Sequence, residues 1–166
     1  MCETSPDSGY YQLIDFDSCV MIGERTDEHI QPELYRAPEV ILELKPYSCK
    51  IDVFGLGVIL YELYTGIRMF AKQSNCAEQL VYLASLVGAP EQDMLDKVSD
   101  EELASKLRAL TRSDDISWFP SADEPHTQLS CEFRDLVLQL LQCDPAQRPS
   151  ATEALHHKFC LIERSA

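Results

Sequence analysis

Apolar positions recur at helical spacing over most of this chain, with one short β-like stretch near its start. The longest apolar run, Ile51 to Tyr64, is broken by Asp52 and Glu62. It predicts a helix over 48–66 whose apolar residues surround it rather than forming a stripe, a central buried helix. Ser48 can cap that helix, and Gly66 can end it. Asn75 or Ser74 caps a second helix carrying Leu80, Leu83, Leu86 and Val87, stopped by Gly88 and Pro90. Ser130 starts a third, with Phe133, Leu136, Val137, Leu140 and Leu141 on one side. Ser150 caps a last helix over Ala151 to His157, and Ala37 to Leu44 suits a short one with Pro38 in its first turn. Tyr10 to Phe16 is aromatic and branched enough for a short strand. Residues 1–9 are expected to be a disordered start. Residues 18–32 are expected to be loop, with room for a small strand around Cys19–Ile22. An acidic, irregular stretch over 91–124 contains an amphipathic piece from Asp100 to Leu110. The fold class is mainly α, with one or two short strands at the N-terminus and no internal repeat.

Composition narrows the partners. The chain has 166 residues, 45% hydrophobic, which suits one domain with a real core. Its 14 basic and 28 acidic residues leave a net charge of −14, so nucleic acid and anionic membranes are poor partners. An acidic surface suits a basic protein, but it also simply confers solubility. Seven cysteines without a repeated spacing, and a polar first ten residues, fit free thiols in the cytoplasm or nucleus. Cys143, His156, His157 and Cys160 contain zinc-ligand types, yet their spacing matches no standard finger. The apolar run over 51–64 is shorter than a membrane span.

Four pieces stand in a telling order: Asp15-Phe16-Asp17, Tyr35-Arg36-Ala37-Pro38-Glu39, Asp52-Val53-Phe54-Gly55-Leu56-Gly57 and Asp144-Pro145-Ala146-Gln147-Arg148-Pro149. Together they resemble the second half of a eukaryotic protein kinase domain, from the metal-binding loop to the last helices. Arg36 before Ala-Pro-Glu, and Leu86-Val87-Gly88-Ala89-Pro90 followed by a long insert, are similar to the CMGC group. That group holds the cyclin-dependent, MAP, dual-specificity tyrosine-regulated and SR-protein kinases. His29-Ile30-Gln31-Pro32 leans towards the SR-protein kinase branch.

The resemblance implies a helical C-terminal lobe with the N-terminal lobe absent. It implies a partial kinase domain over 10–160, with 15–39 as activation segment, 88–125 as acidic insert and 161–166 as tail. Asp15 would be the ligand of magnesium bound to ATP, with Phe16 packed beneath it and Asp17, a possible second ligand, standing where the family has glycine. Tyr35 and Arg36 would line the substrate pocket. Glu39 and Arg148 would form a buried ion pair, and Asp52 would anchor the catalytic loop. In the activation segment Ser18 and Thr26 carry the hydroxyls before Tyr35, and acidic neighbours Glu24, Asp27 and Glu28 disfavour a phosphate on Thr26.

Within these 166 residues there is no G-x-G-x-x-G, no Val-Ala-x-Lys and no His-Arg-Asp-x-x-x-x-Asn. Phosphoryl transfer needs several such groups at once. The chain by itself is therefore expected to lack kinase activity. Two functions remain open: part of a Ser/Thr kinase that phosphorylates protein hydroxyls, or a non-catalytic scaffold or docking module. The expected partner is a protein, substrate or otherwise. An apolar face left without the catalytic loop would favour self-association.

Overall fold

The computed structural model describes residues 2–4, 11–21, 30–70, 73–110, 119 and 128–162, in two units, Met1–Ile30 and Gln31–Ala166. In the first unit β1 (Cys2–Thr4) pairs antiparallel with β2 (Tyr11–Leu13), Cys2 opposite Leu13 and Thr4 opposite Tyr11. The expectation of a disordered start thus fails at Cys2–Thr4, and residues 5–9 lie outside the described residues. A partner strand satisfies backbone groups that a lone aromatic strand would leave unpaired. No strand forms over 19–21, where Val20 and Met21 are exposed and bury no face; Ile22 lies outside the described residues.

The second unit is helical. After a 3-10 turn at Glu33–Tyr35 come α1 (Pro38–Ile41), with Pro38 at its first position, and α2 (Lys50–Thr65). Cys49, not Ser48, is the N-cap of α2. Ser48 still contributes, because its Oγ accepts the Lys50 N–H at 3.3 Å. Gly66 closes the helix in the left-handed region at φ 69°, its N–H donating to the Glu62 carbonyl. A Cβ there would meet nothing within 4 Å, so the cost of a side chain is purely that of the backbone. Gly66→Ala is expected to lower stability by about 1 kcal/mol in denaturant unfolding, through the left-handed strain alone.

Asn75 caps α3 (Cys76–Val87): its Oδ1 accepts the Glu78 N–H while the Glu78 carboxylate accepts the Ser74 N–H, both at 2.9 Å. The acidic stretch is more regular than its composition suggests. It holds α4 (Gln92–Leu95) and α5 (Glu101–Arg108), the latter capped by Asp100, whose carboxylate accepts the Leu103 N–H. Leu103, Ala104 and Leu107 on α5 are buried, and that apolar edge holds the segment to the core. Of residues 111–127, only Phe119 is described, and it is buried.

The third long helix, α6 (Gln128–Leu140), begins two residues before Ser130. It buries Phe133, Leu136, Val137 and Leu140, and Leu141 just beyond its end is buried too. Ser150 forms a capping box with Glu153, but α7 stops at Ala154 rather than continuing to His157. The break has a visible cause: His157 Nδ1 accepts the Phe159 N–H at 3.2 Å and so heads α8 (Lys158–Ile162). Val53 of α2 packs on Leu136 and Leu140, with Leu60, Ala154, Phe159 and Cys160 around them. A run of aromatic contacts, Tyr61 to Phe119, Tyr64 to Phe133 and Phe133 to Phe159, extends this seam at centroid spacings of 5.7, 4.8 and 5.0 Å.

Candidate functional site

In the first unit the chain leaves β2 through Asp15, whose φ is 68°. The left-handed residue is therefore Asp15, and Asp17, at the position where glycine was expected for its backbone freedom, is not among the positive-φ residues. Aspartate tolerates this region better than most side chains. A turn at Asp17 and Ser18 follows, closed by the Cys19 N–H on the Phe16 carbonyl at 3.0 Å. Asp15, Asp17 and Ser18 are exposed. Phe16 is 62% exposed, so the packing beneath Asp15 that the resemblance implied is not found. Thr26 lies outside the described residues.

In the second unit Tyr35 to Glu39 is held from several sides. The Tyr35 hydroxyl donates to Glu62 Oε2 at 2.9 Å, and Glu62 Oε1 accepts the Met69 N–H at 3.2 Å. Partial burial and the Glu62 carboxylate together push the Tyr35 hydroxyl above its ordinary pKa. Gln31 clasps the same segment: its Oε1 accepts the Ala37 N–H at 3.0 Å and its Nε2 donates to the Ile51 carbonyl of α2 at 2.9 Å. Its φ of 63° turns the chain so that its own carbonyl accepts from Arg36 Nε at 3.2 Å. Arg36 also reaches Cys76 Sγ at the start of α3, at 3.5 Å, and that thiol faces Glu33. The wall from Tyr35 to Glu39 is thereby tied to α2 and α3 at once.

Glu39 and Arg148, 109 residues apart, form a bidentate ion pair at 2.8 and 2.9 Å. Both are buried, at 4% and 1% exposure. All five guanidinium N–H groups are used: two go to Glu39, two to the Gln142 carbonyl and one to the Lys50 carbonyl. The guanidinium also lies over the Phe54 ring, 5.2 Å from its centre. A guanidinium out of water is tolerable only when every donor is met, and here each one is. The cluster joins α1, the start of α2 and the loop before α7.

Asp52 stands in the first turn of α2, where the helix dipole favours a carboxylate. Partial desolvation nonetheless raises its pKa. It heads an open side of α2: Leu56 is 44% exposed and Leu63 62%, and Ile67 just beyond the helix is exposed as well. The central helix is therefore not buried all round. A raised carboxyl pKa means the folded state favours the protonated form. That contribution is full below the unfolded pKa and lost as pH rises through the folded pKa. Asp52→Asn is accordingly expected to raise the melting temperature slightly at pH 7, with the gain over the parent shrinking as pH falls below the carboxylate range. An Asn variant no more stable at pH 7 would disprove the desolvation cost.

The four-residue zinc set does not assemble. Cys143 is core, its thiol pushed up to about 12 by burial, which keeps it protonated. His156 Nδ1 instead bonds the Thr152 carbonyl at 2.8 Å, and His157 Nε2 faces Asp135. Two residues that organise the site were not singled out from sequence. Gln31 gives no sequence signal for its turn. Glu62 did give one, as a carboxylate inside an apolar run, which its partly buried bond from the Tyr35 hydroxyl explains.

The family model described as the protein kinase domain matches residues 3–160. The DYRK-family kinase pom1 of Schizosaccharomyces pombe is 33% identical over 161 residues, covering 93% of this chain and 15% of that protein. The mitogen-activated protein kinase pmk-1 of Caenorhabditis elegans is 32% identical, covering 89% and 38%. The dual specificity tyrosine-phosphorylation-regulated kinase 2 of Drosophila melanogaster is 33% identical, covering 92% and 22%. The chain thus spans between 15% and 38% of the length of these relatives.

Proposed function

Since this chain belongs to the protein kinase family, among relatives of the CMGC group, we propose that it supplies the substrate-side helical portion of a Ser/Thr kinase domain and is inactive on its own. The observation that carries this reading is the Tyr35–Glu39 wall, fixed to α2 and α3 by Gln31, Glu62 and Arg36. It sits in a sequence that holds no His-Arg-Asp-x-x-x-x-Asn. In the activity proposed for the parent domain, the γ-phosphoryl of ATP passes to a protein hydroxyl. Tyr35 and Arg36 would position the segment bearing that hydroxyl. The exposed carboxylates of Asp15 and Asp17 are hard oxygen donors of the kind magnesium takes, so the residues fit the ion. When bound, magnesium would neutralise charge on the ATP phosphates. Asp15 would hold it, with Asp17 as a second oxygen donor.

A base to take the hydroxyl proton and a lysine to orient the phosphates are the groups this sequence lacks, and one aspartate does not replace them. Purified chain incubated with γ-labelled ATP and a mixed serine and threonine peptide pool is expected to transfer no label above the buffer control. Label transfer that disappears in Asp15→Asn would overturn the inactivity.

The second reading is a non-catalytic scaffold, favoured by Asp17 in place of glycine and by the open side of α2. Calorimetry with ATP, with and without magnesium, separates the two. Magnesium-dependent binding abolished by Asp15→Asn favours a working remnant of a kinase site, and absence of binding favours the scaffold. The open side of α2 also leads us to expect binding of a hydrophobic dye and self-association in sedimentation. A monomer that leaves the dye dark would argue against both.

A further inference from the structure

We propose that Glu132, Asp135 and His157 bind a divalent transition metal of the zinc class, which clips α8 onto α6. One ligand atom from each of the three lies within 4.8 Å of the others. Glu132 and Asp135 are three residues apart on α6, which places them on one side of the helix. His157 comes from the turn that opens α8, and its Nε2 is 2.9 Å from Asp135 Oδ2. Four-coordinate zinc needs donors about 3.4 Å apart, from bonds of about 2.1 Å, so small rotations of the two carboxylates suffice. The imidazole is anchored, its side chain only 10% exposed, whereas Asp135 is 58% exposed. The ring is thus presented rigidly to carboxylates that solvent can reach. Gln139 Nε2 donates to the same Asp135 Oδ2 at 3.0 Å, a bond that helps fix the orientation of this carboxylate. One imidazole nitrogen with two carboxylates suits zinc, cobalt or nickel, whereas magnesium and calcium favour oxygen alone.

Proton placement gives the site a signature of its own. The Phe159 N–H points at His157 Nδ1, so without metal the neutral ring carries its proton on Nε2, where it donates to Asp135. Coordination through Nε2 moves that proton to Nδ1. The ring stays neutral, and Phe159 N–H loses its acceptor. Binding therefore trades the cap of α8 for a metal bridge from α8 to α6.

The test is cobalt titration of the metal-free chain followed by optical absorption, with zinc titration by calorimetry. Seven cysteines make thiolate binding the competitor, and cobalt separates the two because thiolate ligation gives an intense charge-transfer band that nitrogen and oxygen ligands do not. One equivalent with a nitrogen-and-oxygen spectrum is expected. Zinc affinity should fall at least about tenfold in Asp135→Asn and be lost in His157→Gln. Asp135 is exposed, so its variant is expected to keep the parent's circular dichroism, which covers the case in which the His157 variant fails to fold. Zinc should also speed hydrogen exchange at the Phe159 amide. A thiolate band, the same affinity in Asp135→Asn, or no binding in the micromolar range would overturn the proposal.

Discussion

Arg148→Ala is expected to cost about 3–5 kcal/mol of unfolding free energy, the largest effect of any single change in this chain. The reason is what it leaves behind. Glu39 is 4% exposed and takes both of its short bonds from this guanidinium; without it, a carboxylate stays buried with no cation. The carbonyls of Lys50 and Gln142 lose their donors at the same time. Arg148→Lys is expected to fare little better, since one ammonium cannot span Glu39, Lys50 and Gln142 in a planar fork. Glu39→Gln should cost less than Arg148→Ala, because the amide still offers one acceptor to a guanidinium that keeps its three carbonyl bonds. The double variant Glu39→Leu with Arg148→Met removes both charges and should recover much of the loss. Urea unfolding of the four proteins checks the order. A loss below about 1 kcal/mol for Arg148→Ala would mean the pair is not closed in solution.

This ion pair was expected because the two motifs that carry Glu39 and Arg148, 109 residues apart, resemble those of the protein kinase family, and the structure shows it formed. The helices α2, α3 and α6 were legible from the residues themselves, because apolar spacing and stops agree with one another, although only α3 starts at a cap read from sequence. What failed was local. Nothing in Cys2–Thr4 announces a strand, since three residues gain their order from pairing with Tyr11–Leu13 rather than from their own preference. The end of α7 was placed too late because the sequence favours helix through His157, and the Nδ1 bond to Phe159 that stops it becomes visible only in three dimensions. Phe16 and Asp17 took their expected roles from resemblance, and the exposed ring and the left-handed Asp15 depart from both. The Tyr35 wall lies between these cases. Its residues were picked out, but the groups that hold it, Gln31 and Glu62, act through bonds to backbone and hydroxyl that no spacing rule announces.

Gly57→Ala and Gly55→Ala should move stability in opposite directions although both glycines lie inside α2. Helix propensity favours alanine over glycine by about 1 kcal/mol at either site. At Gly57 a Cβ would sit 2.9 Å from Leu140 Cβ and 3.2 Å from Leu141 Cδ2. Leu140 Cβ is fixed to the backbone of α6 and cannot swing aside, so α2 and α6 must separate. Forcing an extra methyl into a packed seam typically costs about 1–3 kcal/mol, enough to reverse the propensity gain. At Gly55 the nearest atoms are Gln31 Nε2 and the Tyr35 carbonyl, both at 3.7 Å, an ordinary contact distance. There the alanine fits, and stability should rise by about 0.5–1 kcal/mol. Because Val53, Leu136, Leu140 and Phe159 share the seam that Gly57 opens, its variant should also expose more apolar surface and bind hydrophobic dye more strongly than the parent. Two alanines of equal effect would show that the close approach of α2 to α6 is not what selects glycine at this position.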